Sequence, residues 1–458
     1  MTISLDAGAT GAEAGADRYA KWVIAIFFVT LFIPGYMDIG VRMTPYRLFL
    51  IVMMLPTVLR FRNDRLLQIT SVDVFMFLAI LWITLSLVAN HGAARLVYAG
   101  STFLEMFCGY LLGRVFIRSA ADYRFFFKCL LVTLVAFAPF ALLELVGHQR
   151  VLRELADKVL TLPEAIEHDQ VRFGLMRVML SFEHALHFGT FCAIGFANAY
   201  YLSASFLRRT LVCGFIIFMS LLPLSSSAIL IMVLQVGMIG YDRTFRFLAN
   251  RWILLAVVTA VGALSFQALV GTSIPDYIVN ELIISPDGGK ARIEQFEYAS
   301  REVVRNPVFG VGLNEWRKPF WRTASIDNFW LVIAVQSGLP ALLFFVLAFL
   351  MHFQKVAFAK DLDPEETRIR SGYLIALASI LLVLVTYHIW GVIAVFVLLY
   401  AGAGAWFYDR SGPPEMFPAR LRRLERRAAE APAATREARR ASRPTPGEAR
   451  AARRSGRP

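Results

Sequence analysis

The chain has 458 residues, of which 57% are hydrophobic and 18% charged, with a mean hydropathy of +0.56. A soluble domain has roughly 45–50% apolar and about 25% charged residues, so an ordinary soluble globular protein is excluded. The net charge of +13 does not point to nucleic acid either, because residues 411–458 alone hold 13 Arg and 5 Glu, a net of +8.

The apolar excess arrives in blocks of about 18–25 residues, the length that crosses a hydrocarbon core as helix. The fold class read from this is all-α, a polytopic helical membrane protein. About twelve spans are expected, centred on 22–39, 45–60, 71–89, 96–117, 124–146, 180–203, 209–223, 225–241, 251–270, 327–352, 371–389 and 391–408. The seventh and eighth are short and joined by Pro223 to Ser227, so one re-entrant hairpin is an alternative there. The first apolar run is too long for a cleavable signal peptide and has no small-residue cleavage site behind it.

Residues 1–19 read as a cytoplasmic N-terminal segment, 20–410 as the membrane domain, and 411–458 as a disordered tail lying on anionic lipid. Lys and Arg gather in alternate short loops: Arg60, Arg62 and Arg65; Arg114, Arg118 and Arg124; Arg208 and Arg209; Arg243, Arg246 and Arg251; and Lys355 to Arg370. The positive-inside rule puts these loops and both termini in the cytoplasm. Two long loops, about 148–178 and 271–326, then face outward. Cys108, Cys129, Cys192 and Cys213 fall inside spans with no metal-ligand spacing, and read as packing residues.

The second outer loop opens on the turn-like Ser-Pro-Asp-Gly-Gly-Lys stretch at 285–290. From Ala291 to Arg305, Ile293, Phe296, Ser300, Val303 and Val304 recur at helical spacing among Arg292, Glu294, Arg301 and Arg305, an amphipathic helix at the membrane surface. Asn306-Pro307 ends it. Gly310 and Gly312 permit a tight turn or a close approach to a ligand. Trp316, Phe320 and Trp321 follow, then Asp327-Asn328 at the mouth of the next span and Gly338-Leu339-Pro340 within it. In the first outer loop, Arg172 and Arg177 precede Phe182-Glu183-His184 and Gly189.

This order of Arg, amphipathic helix, Pro-x-x-Gly-x-Gly, a polar-Asn pair and Gly-Leu-Pro resembles the signature of the O-antigen ligase and polymerase superfamily of bacterial envelopes. The stretch from Arg177 to Gly189 resembles that family's Arg…Phe-x-His…Gly segment. The motifs cover about 60–70 residues; topology extends the likeness to most of the chain. The resemblance implies glycosyl transfer from a glycan on undecaprenyl diphosphate to a glycan acceptor, in the bacterial inner membrane at its periplasmic face. It implies no metal and no cofactor. Arg177 and Arg292 would neutralise the leaving diphosphate, for which a planar guanidinium is suited. Asp327 would activate the acceptor hydroxyl. His184, Asn328, Arg301, Arg172, Gly310, Gly312, Trp316 and Trp321 would complete the substrate site, and a flippase and a chain-length regulator are the implied protein partners. Lipopolysaccharide ligases of the family carry His where this chain has Asp327, which favours the exopolysaccharide polymerase branch over a ligase or a protein O-oligosaccharyltransferase.

Each residue also has a plainer reading. Asp327 suits a helix N-cap. Arg177 and Arg292 suit interfacial snorkelling. Trp316, Phe320, Trp321, Phe329 and Trp330 suit a membrane-interface belt. His184 and His187 share one helical face as polar core residues. Glu183 is a second candidate base, Glu144 sits where it can face the site, and Glu105 pairs with a neighbouring polar group. A transporter or flippase would show inverted repeats and paired charges at mid-membrane, and the halves of this chain show no repeat. A non-enzymatic assembly protein is the remaining class.

Overall fold

A computed structural model describes residues 6–64, 67–162, 171–248, 251–255, 257–259, 261, 286–321 and 324–409. Residues 1–409 form one compact unit. The basic tail, residues 163–170 and residues 262–285 lie outside the described residues, and with them the expectations for the tail, the middle of the first outer loop, the start of the second and most of the ninth span.

Helices dominate. In chain order they are α1 (Asp6–Thr30), α2 (Pro45–Asn63), α3 (Ser71–His91), α4 (Leu96–Phe116), α5 (Ala120–Gly147), α6 (Val151–Asp157), α7 (Ala185–Leu202), α8 (Phe206–Leu221), α9 (Ser226–Thr244), α10 (Pro286–Arg305), α11 (Phe329–Ala357), α12 (Pro364–Val383), α13 (Gly391–Gly402) and α14 (Trp406–Asp409). Two small antiparallel hairpins interrupt them, β1 (Met37–Asp38) with β2 (Arg42–Met43) and β3 (Val171–Arg172) with β4 (Leu175–Met176). Among the described residues, four stretches are long and apolar enough to cross a membrane: Ser71–Phe116, Ala120–Gly147, Phe329–Ala357 and Gly391–Asp409. Their mean hydropathies run from 1.8 to 2.4. Outward-facing apolar side chains such as Val132, Val135, Leu343 and Leu350 are exposed, as expected of a surface that meets lipid.

Several boundaries depart from expectation for local reasons. Helix α1 starts at Asp6, well inside the expected N-terminal segment, and stops at Thr30, ahead of Pro34-Gly35, where Gly35 takes φ +94°. The stretch 209–241 is two helices as expected, α8 and α9, joined by Leu222–Ser225. Residues 286–290 of the expected turn are instead the start of α10, with Pro286 first, where a missing N–H is harmless.

Contacts between helix termini sort them into two ends. At one end, buried Arg114 of α4 bonds Asp73 at the start of α3 (3.0 Å) and Asp409 of α14, while Arg118 pairs with Asp64 and Arg124 with Glu365. At the other end, Arg47 of α2 meets Glu105 of α4. Also at that end, Glu144 of α5 holds the entry to α7, and the Phe329 N–H reaches the Leu384 and Tyr387 carbonyls after α12. Helices therefore alternate in direction through the bundle, and the Arg-rich loops share one end. Toward the Arg-rich end, Tyr123, Asn198, Tyr400, Tyr373 and His352 form a buried hydrogen-bonded chain between helices. Each polar group in it has a partner, which keeps its burial from being costly.

Candidate functional site

The second outer loop is built around a break in α11. Pro340 lacks an N–H and crowds the carbonyl four residues back, and Gly338 sits at φ 83°, ψ 172°, a region essentially reserved for glycine. The break frees the carbonyls of Val335 and Gln336 from the helix. They accept instead from the N–H groups of Val311 (2.8 Å) and Gly312 (2.9 Å), while Leu339 N–H donates to the Pro307 carbonyl (2.7 Å). Gly310 and Gly312, at φ +60° and +63°, press against this seam, and a Cβ on Gly312 would lie 2.5 Å from His91 Nε2. From the other side α3 fastens the loop. Trp82 donates to Val308 O (3.0 Å) and stacks on Phe309, Asn90 donates to Phe309 O (3.1 Å), and His91 Nε2 accepts from Leu313 N–H (2.7 Å). The three glycines of the signature thus join two distant segments, and the two in the loop serve backbone geometry.

This seam positions α10 on the first half of α11. Ala299 and Val303 pack with Trp316, Ile326, Leu331 and Val332 in a small separate core. Trp316 is buried there and donates to Ala324 O (2.9 Å), so its ring is spent on packing. Trp321 is exposed and forms an edge-to-face pair with exposed Phe320. Arg301 pairs with Glu297 one turn away and lies over Tyr298.

The cap of α11 is Asn328, whose side chain accepts from Leu331 N–H at 3.0 Å. Asp327 is therefore not the cap. It is half-buried, its N–H donates to Gln295 Oε1 of α10 (3.2 Å), and its Oδ1 accepts from Ser325. Arg292 is exposed three residues before Gln295, on the same helical face, so α10 brings a guanidinium and the Asp327 carboxylate to one end of the bundle.

The first-loop arginines do different work. Arg177 is buried and its Nε donates to Pro223 O (3.2 Å); half-buried Arg172 donates to Leu224 O (3.1 Å). Both therefore fasten the α8–α9 turn, where Leu224 has φ +48°. His184 caps α7, with Nδ1 accepting from Leu186 N–H (3.1 Å). Ring contacts connect this cap to α11: His184 and His187 lie against Trp390, Trp390 stacks on His388 and His388 on Phe329, with centroid separations of 6.3, 4.2, 5.7 and 5.9 Å in that order. His388 and Trp390 were not singled out by sequence; the only signal was a polar Tyr-His-Ile-Trp-Gly stretch between two apolar runs.

Sequence reasoning named Glu105, Glu144 and Glu183 singly, with Glu105 paired to a polar neighbour, here Arg47, but missed the charge network that joins them. Glu144 accepts from Met179 N–H (3.2 Å) and Leu180 N–H (3.0 Å) and lies 3.5 Å from Arg150. Buried Arg153 donates to Phe182 O (3.4 Å). Burial, and then the neighbouring Arg150, lower the pKa of the Arg153 guanidinium, with Glu144 and Glu183 opposing. The Glu183 carboxylate rests against Gly391 at the N-terminus of α13, where the helix dipole favours an anion. Arg47 and Glu105 form a 2.6 Å pair beside it. Tyr46, Arg153, Ser181 and Glu183 face one small pocket, closed on the apolar side by Leu31, Ile33 and Val392. Among the described residues no group of three or more His, Cys, Asp or Glu side chains is placed to hold a metal ion.

No family model matches the chain, and no curated protein matches it.

Proposed function

We propose that this chain is a membrane glycosyltransferase that polymerises lipid-diphosphate-linked oligosaccharide repeat units into an envelope polysaccharide. The reading includes about twelve spans in a bacterial inner membrane, with both termini cytoplasmic and the α10 end periplasmic. The sorting of helix ends supports that arrangement, because the Arg-rich loops gather at one end. The observation that supports the reaction class most is the bond from the Asp327 N–H to the Gln295 side chain, which ties α10, one turn from Arg292, to a residue whose carboxylate is free of the capping role.

The proposed step is displacement at the anomeric carbon of the donor. The acceptor hydroxyl oxygen forms the new C–O bond, its proton passes to Asp327, and the bond to the diphosphate breaks with both electrons leaving on the lipid diphosphate. Arg292 stabilises that growing charge, an effect usually large in a partly dehydrated site. Arg177 adds positive potential while fixing the α8–α9 turn. Asp327, where ligases of the resembled family carry His, favours polymer growth over transfer to a lipid-A core or to protein.

The test is glycan length in cells carrying wild type, Arg292→Ala or Asp327→Asn, with membrane expression matched. The expected result is accumulation of single lipid-linked units and loss of polymer in both variants. Polymer that forms but stays on its carrier lipid would make the protein a ligase. Normal polymer on its normal acceptor in both variants would move transport or scaffolding ahead.

A further inference from the structure

The pocket faced by Tyr46, Arg153, Ser181 and Glu183 is separate from the Arg292–Asp327 face, and nothing above assigns it a ligand. Its electrostatics narrow the choice. Three arginines (Arg47, Arg150 and Arg153) and three carboxylates (Glu105, Glu144 and Glu183) form the network around it. Of these, Arg153 and Glu183 line the pocket itself, one cation and one carboxylate, so a diphosphate and a free cation would each meet a like charge there. The pair presents a guanidinium donor beside a carboxylate acceptor. A sugar hydroxyl is donor and acceptor at once, and vicinal hydroxyls match that alternation.

The walls agree. Leu31, Ile33 and Val392 supply an apolar side next to the polar one, as a pyranose needs for its C–H face. Two glycines in positive-φ backbone let the walls approach. A Cβ on Gly391 (φ +58°) would come within 2.7 Å of Glu183 Oε1, and one on Gly35 (φ +94°) within 2.9 Å of Thr161 O. An ion network of this kind contributes little net stability compared with apolar packing, which is a reason to seek its use in binding.

We propose that this pocket is a saccharide subsite that holds a neutral, hydroxyl-bearing sugar of the glycan chain, with Glu183 and Arg153 as its polar recognition groups. The assignment of a glycan as the ligand rests on the proposed function.

The test uses the purified full chain in lipid nanodiscs. The probes are an oligosaccharide of one or two repeat units, cut from the producing cell's own surface polysaccharide, and inorganic pyrophosphate. Glu183→Gln keeps the shape and removes the charge; Ser181→Ala is a milder second variant, and melting curves confirm that both are folded. The expected result is oligosaccharide binding weakened about tenfold or more by Glu183→Gln, with pyrophosphate binding unchanged, and the opposite pattern for Arg292→Ala. If the wild type binds the oligosaccharide and both pocket variants bind it equally well, the subsite is wrong and the glycosyltransferase reading stands. If the wild type binds no oligosaccharide and Arg292→Ala and Asp327→Asn cells make normal polymer, the functional reading itself has failed and the subsite with it.

Discussion

Replacing Gly338 with Ala is expected to destabilise the protein by about 3 kcal/mol or more. The reasons are independent. The backbone at φ 83°, ψ 172° is a region that residues with a Cβ essentially avoid. The added methyl would also collide with the Val308 carbonyl, and it cannot move aside without releasing the Leu339–Pro307 hydrogen bond. The neighbouring bonds from Val311 and Gly312 to Val335 and Gln336 depend on the same break. Thermal unfolding in detergent would register the loss as a lower midpoint. Gly237→Ala and Gly240→Ala in α9 are the controls. Neither glycine has a positive φ or a neighbour within 4 Å of its Cβ position, so each change should be neutral or should stabilise by roughly 0.5–1 kcal/mol. An unchanged midpoint for Gly338→Ala would mean that the seam between the loop and α11 is not a cohesive part of the fold.

The second large effect is expected at Arg114. Its side chain is fully buried and reaches three partners on different segments: Asp73 (3.0 Å), Asp409, and the Gln68 carbonyl (3.0 Å). Asp73 in turn accepts from Tyr110 (2.6 Å) and completes the capping box of α3 with Thr70. Arg114→Leu removes the cation and leaves two carboxylates facing each other with little water. Breaking a buried pair in this way costs about 3–5 kcal/mol. The triple variant Arg114→Leu with Asp73→Asn and Asp409→Asn should recover part of that loss, because most of the penalty lies in the stranded charges. A single variant as stable as wild type, measured by thermal unfolding, would contradict the account of this cluster.

The sequence carried the parts of the fold that depend on nearby residues. Apolar blocks gave most helices, Asn306-Pro307 ended α10 where expected, and alternating Arg-rich loops matched the sorting of helix ends. What depends on distant contacts was hidden. Asp327 and Asn328 are adjacent and both are good caps, and only the bond to Leu331 N–H separates them. Gly310, Gly312 and Gly338 were visible as a pattern, but their mutual docking joins segments about 30 residues apart and needs the helix break to free two carbonyls. Arg153 and Arg47 carry no signal in the sequence, because their convergence on Glu183 arises from the packing of α2, α6 and α13. Pro286 to Lys290 read as a turn because Pro and Gly punctuate loops, yet Pro is equally at home in a first helical turn.

The most direct measurement of the central claim is reconstitution. The purified chain would be placed in vesicles with single lipid-diphosphate-linked repeat units, and both product length and released lipid diphosphate would be followed. The account predicts a ladder of lengthening lipid-linked products, with one lipid diphosphate released for each unit added. Asp327→Asn should slow growth about 100-fold or more, the typical weight of a lost general base. Units that stay single while crossing from one side of the vesicle to the other would contradict the account and identify a transporter.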